Sequence, residues 1–401
     1  MSTEHTRDAL HGVKVIELGG LVAGPYAASL FAQFGAEVIK IEAPGDGDPL
    51  RRWRKLHNGT SLWWYSQSRN KKSLTLNLKS EKGRKVARAL VKDADVLVEN
   101  FRPGTLEGWG LGWDELSAIN PRLVMVRISG YGQTGPYRDR PGFASIAEAM
   151  GGLRYVTGYP NRAPVRVGVS IGDTLGSLYA VVGALMALRH RDVNGGTGQV
   201  VDVALYEAVF AVMESLIPEF SRFGFVRERS GGSLPGIAPS NTYPCGDGGY
   251  VVIAGNSDGI FKRLMYAIGR ADFADDPALA RNDGRVEQVD RIDAAISGWT
   301  AQRGLQDVLG ALERADVPVG RIYSAADIHR DAHYRHRGMI EAAVLPDGQA
   351  VDLPGLVPRL TQTPARTRWL GPALGAHVEE VLDTIGVSGE ALSALRAEEI
   401  V

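Results

Sequence analysis

Asp173 stands in the run Val169-Ser170-Ile171-Gly172-Asp173-Thr174-Leu175-Gly176, directly before a long apolar segment. Two descriptions fit it. As a helix cap it would accept hydrogen bonds from the unpaired amides of the first turn. As a nucleophile it would use the same geometry, because the positive end of a helix favours the charged carboxylate near neutral pH. Gly172 and Gly176 would then leave room for a reacting group to approach.

The other chemistry-bearing residues have plainer readings. The single cysteine, Cys245, excludes an intramolecular disulfide and any paired-cysteine metal site, and its setting Pro244-Cys245-Gly246-Asp247-Gly248-Gly249 is a turn before a strand. His329 and His333 have the four-residue spacing of helical metal ligands, and His336 follows. Arg330, Arg335 and Arg337 crowd that segment and repel a cation, so no metal is expected. Gly19, Gly20 and Gly24 follow an apolar strand, with Glu42 downstream. Their spacing is not the G-x-G-x-x-G that brings backbone close to a dinucleotide pyrophosphate. Trp53, Trp63, Trp64 and Tyr65 form an aromatic cluster best assigned to core or dimer packing.

These residues must be positioned by a chain of 401 residues, long enough for one large and one smaller domain. Apolar residues make up 44% and charged residues 23%, the balance of a globular protein. A net charge of −1 favours neither nucleic acid nor an anionic membrane. Met1 to Leu10 is polar, lacks an apolar period and lacks the basic-then-apolar pattern of a signal segment, so order is expected only beyond it and the location is expected to be cytoplasmic. The longest apolar run, Leu175 to Leu188, is shorter than the ~20 residues of a membrane span.

Val13 to Leu18 reads as a buried strand, Pro25 to Phe34 as a helix closed by Gly35, and Glu37 to Ile41 as the next strand. The alternation continues with strands at Ser73 to Leu78, Asp95 to Val98, Leu123 to Ile128 and Val200 to Ala204. Helices are expected at Glu81 to Val91, Leu175 to Leu188 and Leu205 to about Phe220. Strands alternating with helices imply a parallel sheet covered on both faces. Ser230 to Gly236 reads as a linker or mobile loop. Tyr250 to Ala254 opens a mostly helical region reaching about Ile328. A β-like stretch from Met339 to Leu345, a Pro-punctuated passage through Pro372 and two short helices finish the chain.

Several motifs in this order resemble the family III CoA-transferases, a group that includes formyl-CoA and carnitine CoA-transferases. They begin with Ala23-Gly24-Pro25 and Gly35-Ala36-Glu37-Val38-Ile39-Lys40-Ile41-Glu42. Asn70-Lys71-Lys72-Ser73, Val98-Glu99-Asn100-Phe101-Arg102-Pro103-Gly104 and Ser129-Gly130-Tyr131-Gly132-Gln133-Thr134-Gly135-Pro136 follow. Gly172-Asp173, Gly196 to Val203 and His377 to Leu382 complete the set. The resemblance spans nearly the whole chain. It implies an α/β fold, with a Rossmann-like parallel-sheet large domain, a smaller α+β domain, and two subunits interlocked as a homodimer. The large domain would take 1–225 and be completed by 340–401, with the small domain at 235–330.

The resemblance also implies that Asp173 is the covalent nucleophile and that coenzyme A thioesters are substrates, with no tightly bound cofactor. Val22, Ala23, Leu76, Lys79, Asn100 and Phe101 match the family's CoA-binding positions. Ala43 and Gly108 stand where formyl-CoA transferases carry arginine; Arg51, Arg52 or Arg102 would supply that charge or else be ordinary surface cations. The partners implied are an acyl-CoA and a carboxylic acid. Gly151 to Gly158 and Gly236 to Asn241 look most like enzymes of small dicarboxylyl-CoA esters. Succinyl-CoA is the usual donor there, and mesaconate, itaconate, citramalate, malate or a sulfinate the acceptors. Arg154 is the candidate partner for a second carboxylate. The α-methylacyl-CoA racemases share the fold and are the alternative. They need a histidine–aspartate pair where this chain has Gly142-Phe143-Ala144-Ser145.

Overall fold

The structure is a computed structural model and describes residues 8–401. The expectation for Met1 to Leu10 therefore falls mostly outside the described residues. Six strands form one sheet: β1 (Lys14–Glu17), β2 (Glu37–Glu42), β3 (Lys71–Thr75), β4 (Val96–Glu99), β5 (Val124–Ser129) and β6 (Val200–Ala204). They lie in the order 3-2-1-4-5-6, and every pair is parallel. That is the strand order of doubly wound nucleotide-binding sheets.

Side chains alternate between the faces of a strand, and here the alternation sorts residues by size. Val15, Val38, Val96, Val98, Val124 and Val126 point to one face, where they meet α1 (Ala23–Gln33), α4 (Ala144–Met150) and α5 (Ile171–Val193). Helices α1 and α5 present Ala27, Ala28, Phe31, Ala180, Ala184 and Ala187, and the alanines let the helix backbones lie close to the sheet. Ile16, Ile39, Ile41, Leu74, Leu97 and Met125 point to the other face. They pack on α2 (Glu81–Val91), α3 (Trp113–Ile119) and the helices Val378–Asp383 and Gly389–Ala397 near the chain's end.

Three expectations need correction. Strand β3 begins two residues earlier than its apolar run, because Lys71 is fully buried and its ammonium lies 2.7 Å from Glu17 Oε2. A paired lysine inside a sheet gives no hydrophobic signal. Helix α5 has 23 residues, so by length and composition it is long enough to cross a membrane, against the shorter run read from sequence. One side of it is buried, at Gly172, Gly176, Ser177, Ala180, Ala184 and Ala187. The helix expected from Leu205 to Phe220 breaks into Leu205–Phe210 and Leu216–Phe223, with Glu214 between them at a left-handed φ of 53°.

The chain divides into two compact units. The first holds the six-stranded sheet and takes residues 8–153, 167–214 and 338–401. The second takes 154–166 and 215–337, including the helix Leu216–Phe223 and a short excursion that the sequence reading assigned to the first 225 residues. That helix has no buried residue among its eight, so no core pattern marked where it belongs. The second unit has a three-stranded antiparallel sheet, Ser240–Pro244, Tyr250–Ala254 and Val319–Arg321, with Tyr250–Ala254 in the centre. Tyr243, Val251 and Ile253 pack there against Phe261, Leu264, Ile292, Ile296, Val308 and Leu312 from the helices. The stretch from Ser230 to Gly236 carries hydrogen bonds of its own. Ser230 and Ser233 exchange hydroxyl-to-carbonyl bonds of 2.7 and 2.9 Å, and Gly231 N–H donates to Gly158 O.

Candidate active site

Strand order reverses between β1 and β4, so the loops leaving their carboxyl ends diverge and open a crevice. A cleft of about 750 Å³ occupies that edge of the first unit. Leu76, Lys79 and Phe101, three of the expected CoA contacts, line it together with Gly19, Gly20 and the loop Ala43 to Pro49. Phe101 meets Trp109 edge to face at 5.3 Å, and Trp109 also lines the cleft. Arg396, Glu399 and Val401 complete the wall. The Gly/Pro/Asp composition of residues 43 to 49 was a legible loop signal. No spacing rule reaches from β1 to residue 396.

Val22 and Ala23 are buried at the start of α1, and Val22 is its N-cap. Asn100 is occupied in holding the loop before them. Its amide oxygen accepts from Gly20 N–H at 2.8 Å, and its amide nitrogen donates to Gly20 O at 2.9 Å. A Cβ on Gly19 would lie 2.9 Å from the Asn100 oxygen, so the fit of loop against side chain requires glycine there.

Beneath the loop lies a buried charge cluster that the sequence reading missed. Lys40 Nζ lies 2.6 Å from Glu17 Oε1 and 2.8 Å from Asp48 Oδ2, and it donates to Gly19 O at 2.8 Å. Burial opposes the Lys40 charge, but Glu17, Asp48 and Glu42 outweigh it and raise its pKa. Lys71 shares Glu17 with Lys40 and is less well compensated. Burial pulls its pKa down to about 8, and Glu17 offsets only part of that. Burial alone would raise the Asp48 carboxyl, yet Lys40 and the Leu50 and Leu21 amides hold it below the usual carboxylate range. Removing one partner of such a buried pair costs about 3–5 kcal/mol, because the other charge is stranded.

Arg51 is not available to a ligand. It grips Glu42 through two nitrogens at 2.8 Å, donates to Pro372 O and stacks over the Trp64 ring at 3.7 Å. Trp64 and Tyr65 are core residues, packed with Leu50 and Leu345. Arg52 donates to Asp46 O and Arg102 to Asp139 O, both at exposed positions.

Asp173 is the third residue of α5 and is half-buried. As the crossover between the parallel neighbours β5 and β6, α5 runs back across the sheet. Its N-terminus therefore lies at the edge where the strand carboxyl ends open. Ser177 Oγ is 2.7 Å from both Asp173 O and Ala23 O, which ties the first turn of α5 to the first turn of α1. A Cβ on Gly176 would fall 2.5 Å from a Leu205 methyl, so any side chain there would require Leu205 to shift. The carboxylate sits in the first turn, where the helix dipole stabilises its charged form.

Arg154 lies on the four-residue helix Leu153–Val156 and belongs to the second unit. It is half-buried beside Tyr155, whose hydroxyl donates to Glu228 at 2.5 Å. His329 and His333 do not share a helix. Asp331 is extended between Ala325–Arg330 and Ala332–His336 and caps the second of them, so the four-residue spacing does not stack the two rings. Cys245 is buried, and burial, then Asp247, push its thiol pKa up, away from nucleophilic use. Where racemases carry their acid–base pair, Phe143 is exposed and Ala144 is the first residue of the helix Ala144–Met150, so neither can move a proton.

Comparison with known proteins agrees with this geometry. Residues 10–378 match the model of CoA-transferase family III. The chain is 47% identical to the succinyl-CoA–D-citramalate CoA-transferase of Chloroflexus aurantiacus, over all of both chains. It is 41% identical to the beta subunit of the succinyl-CoA–L-malate CoA-transferase of the same organism, over 98% of each. A CAIB/BAIF family protein from Brucella suis superposes with a TM-score of 0.83 at 33% identity, covering 95% of this chain and 100% of that one. The resemblance read from the motifs is thereby established, and the chain belongs to CoA-transferase family III, enzymes whose substrates are CoA thioesters.

Proposed function

We propose that this enzyme moves CoA from succinyl-CoA to a small dicarboxylate-like acid through an aspartyl-CoA thioester on Asp173. The observation that carries the reading is the position of Asp173, in the first turn of α5 and tied through Ser177 to the turn bearing Ala23. The donor and acceptor class follow from the Chloroflexus relatives, whose names specify succinyl-CoA with citramalate or malate.

The Asp173 carboxylate attacks the donor carbonyl. A C–O bond forms, the C–S bond breaks, and CoA leaves as the thiolate. The thiolate then attacks the Asp173 carbonyl of the mixed anhydride, releases the donor acid and leaves the aspartyl thioester. The acceptor carboxylate repeats both steps in reverse and returns Asp173 to its starting state. Thioester is exchanged for thioester, so no net proton, electron or phosphate is consumed.

Incubation with succinyl-CoA should add the mass of CoA less one water to the peptide holding Asp173. Asp173→Ala should abolish both the adduct and turnover while the variant still folds and binds CoA esters. Turnover near the parent level would remove the nucleophile assignment. We further place the enzyme as a homodimer, on the ground that α5 leaves Leu178, Tyr179, Val182, Leu185 and Met186 exposed along one side.

A further inference from the structure

Leu21 has a φ of 65°, in the left-handed region that residues with side chains rarely adopt. Both of its backbone polar groups are held by distant side chains. Its N–H donates to the Asp48 carboxylate, at 3.0 Å to one oxygen and 3.2 Å to the other. Its carbonyl accepts from Gln67 Nε2 at 2.8 Å. The Asp48 side chain is 1% exposed and is further held by Lys40 and by Leu50 N–H, each at 2.8 Å. Lys40 in turn holds Gly19 O, two residues before Leu21. A buried carboxylate–ammonium pair adds little net stability compared with apolar packing. What this pair holds is a strained residue directly before Val22 and Ala23, beside the cleft that Asp48 itself lines.

We infer that Asp48 is a positioning residue for CoA: with Lys40 it locks Leu21 in its left-handed conformation and so sets where Val22 and Ala23 meet the thioester. The inference rests on the reading of this cleft as the CoA site. Asp48 does not touch the reacting atoms. It acts through the loop, and its removal should appear first in CoA affinity.

Asp48→Asn is the direct test, because it keeps the size but turns an amide N–H₂ towards the Lys40 ammonium. CoA affinity measured by calorimetry should fall roughly tenfold as Leu21 relaxes to negative φ, with a smaller change in kcat at saturation. Adding Leu21→Gly should recover part of that loss, since glycine adopts the left-handed region freely. If Asp48 only stabilises the fold, Asp48→Asn will lower Tm, leave the Kd of the folded protein unchanged and show no recovery with glycine. That result overturns the inference. Lys79→Ala separates this failure from failure of the CoA reading. Weaker binding in Lys79→Ala but not in Asp48→Asn rejects the positioning role alone, and no loss in either rejects the cleft as well. Should Asp48→Asn fail to fold, Gln67→Met releases the Leu21 carbonyl without disturbing the charges, and unchanged CoA affinity in it would reject the role.

Discussion

A carboxylate three residues into a helix is common, and its function depends on what shares its surroundings. Asp173 is distinguished by the glycines on either side and by the serine that joins its turn to α1. Arg154 is a residue of the opposite kind, whose sequence context alone nominated it. If its guanidinium clamps the distal carboxylate of the acceptor, Arg154→Ala should cost about 2–5 kcal/mol of interaction with a dicarboxylate. A monocarboxylate lacks the clamped group and should lose far less. Equal losses in kcat/KM for the two acceptors would make Arg154 structural. Of the residues the resemblance nominated, Leu76, Lys79 and Phe101 line the cleft beside strand ends. Lys40, Asp48 and Lys71 were not legible, because a buried ion pair has no periodic signature.

At the scale of elements, β3 shows how a strand at the sheet edge is secured by the returning end of the chain. Ser73 N–H donates to His377 Nδ1 at 3.1 Å, and His377 N–H donates to Ser73 O at 3.0 Å. Burial, with Lys72 adding to it, lowers the His377 pKa below its usual 6.5 against the opposing effect of Glu380. The unfolded chain then binds a proton that the folded chain refuses, so the neutral ring stabilises the fold above the unfolded value. That contribution is lost as pH falls through the lowered one. Thermal melts should show Tm falling as pH drops below 6.5, the usual value for the free ring. His377→Asn keeps an acceptor near the Nδ1 position without titrating, and it should flatten that slope. An unchanged slope would place the sensitivity elsewhere.

At the scale of the whole molecule, the exposed side of α5 is the feature that a single chain leaves unexplained. Met186 is 67% exposed, in line with Leu178, Val182 and Leu185 on a helix whose other side is core. A contiguous apolar stripe of this kind marks an interaction surface. In a homodimer burying it, replacing both Val182 and Met186 by glutamate should halve the mass seen by sedimentation and reduce turnover. The mean residue ellipticity of the fold should be retained. A dimer that persists in the double variant would exclude this face from the interface.

The strand–helix alternation, the parallel sheet and a long helix starting close to Asp173 were readable from the chain, because each depends on neighbours within a few residues. That the helix begins at Ile171, with Ser170 and not Asp173 as its cap, was not. Periodicity reports which residues face a core, and a glycine or proline reports where a segment turns. Tertiary structure alone decided what the charges do. Arg51 reads as a surface cation and is buried on Glu42 and Trp64. Lys71 reads as a polar flank and is the first residue of a buried strand. Leu21 carries no sequence mark of its left-handed backbone, which is held by Asp48 and Gln67 from other segments. The cost of burying a charge is offset only by a partner brought from elsewhere in the chain, and pairing at that distance is decided by the fold.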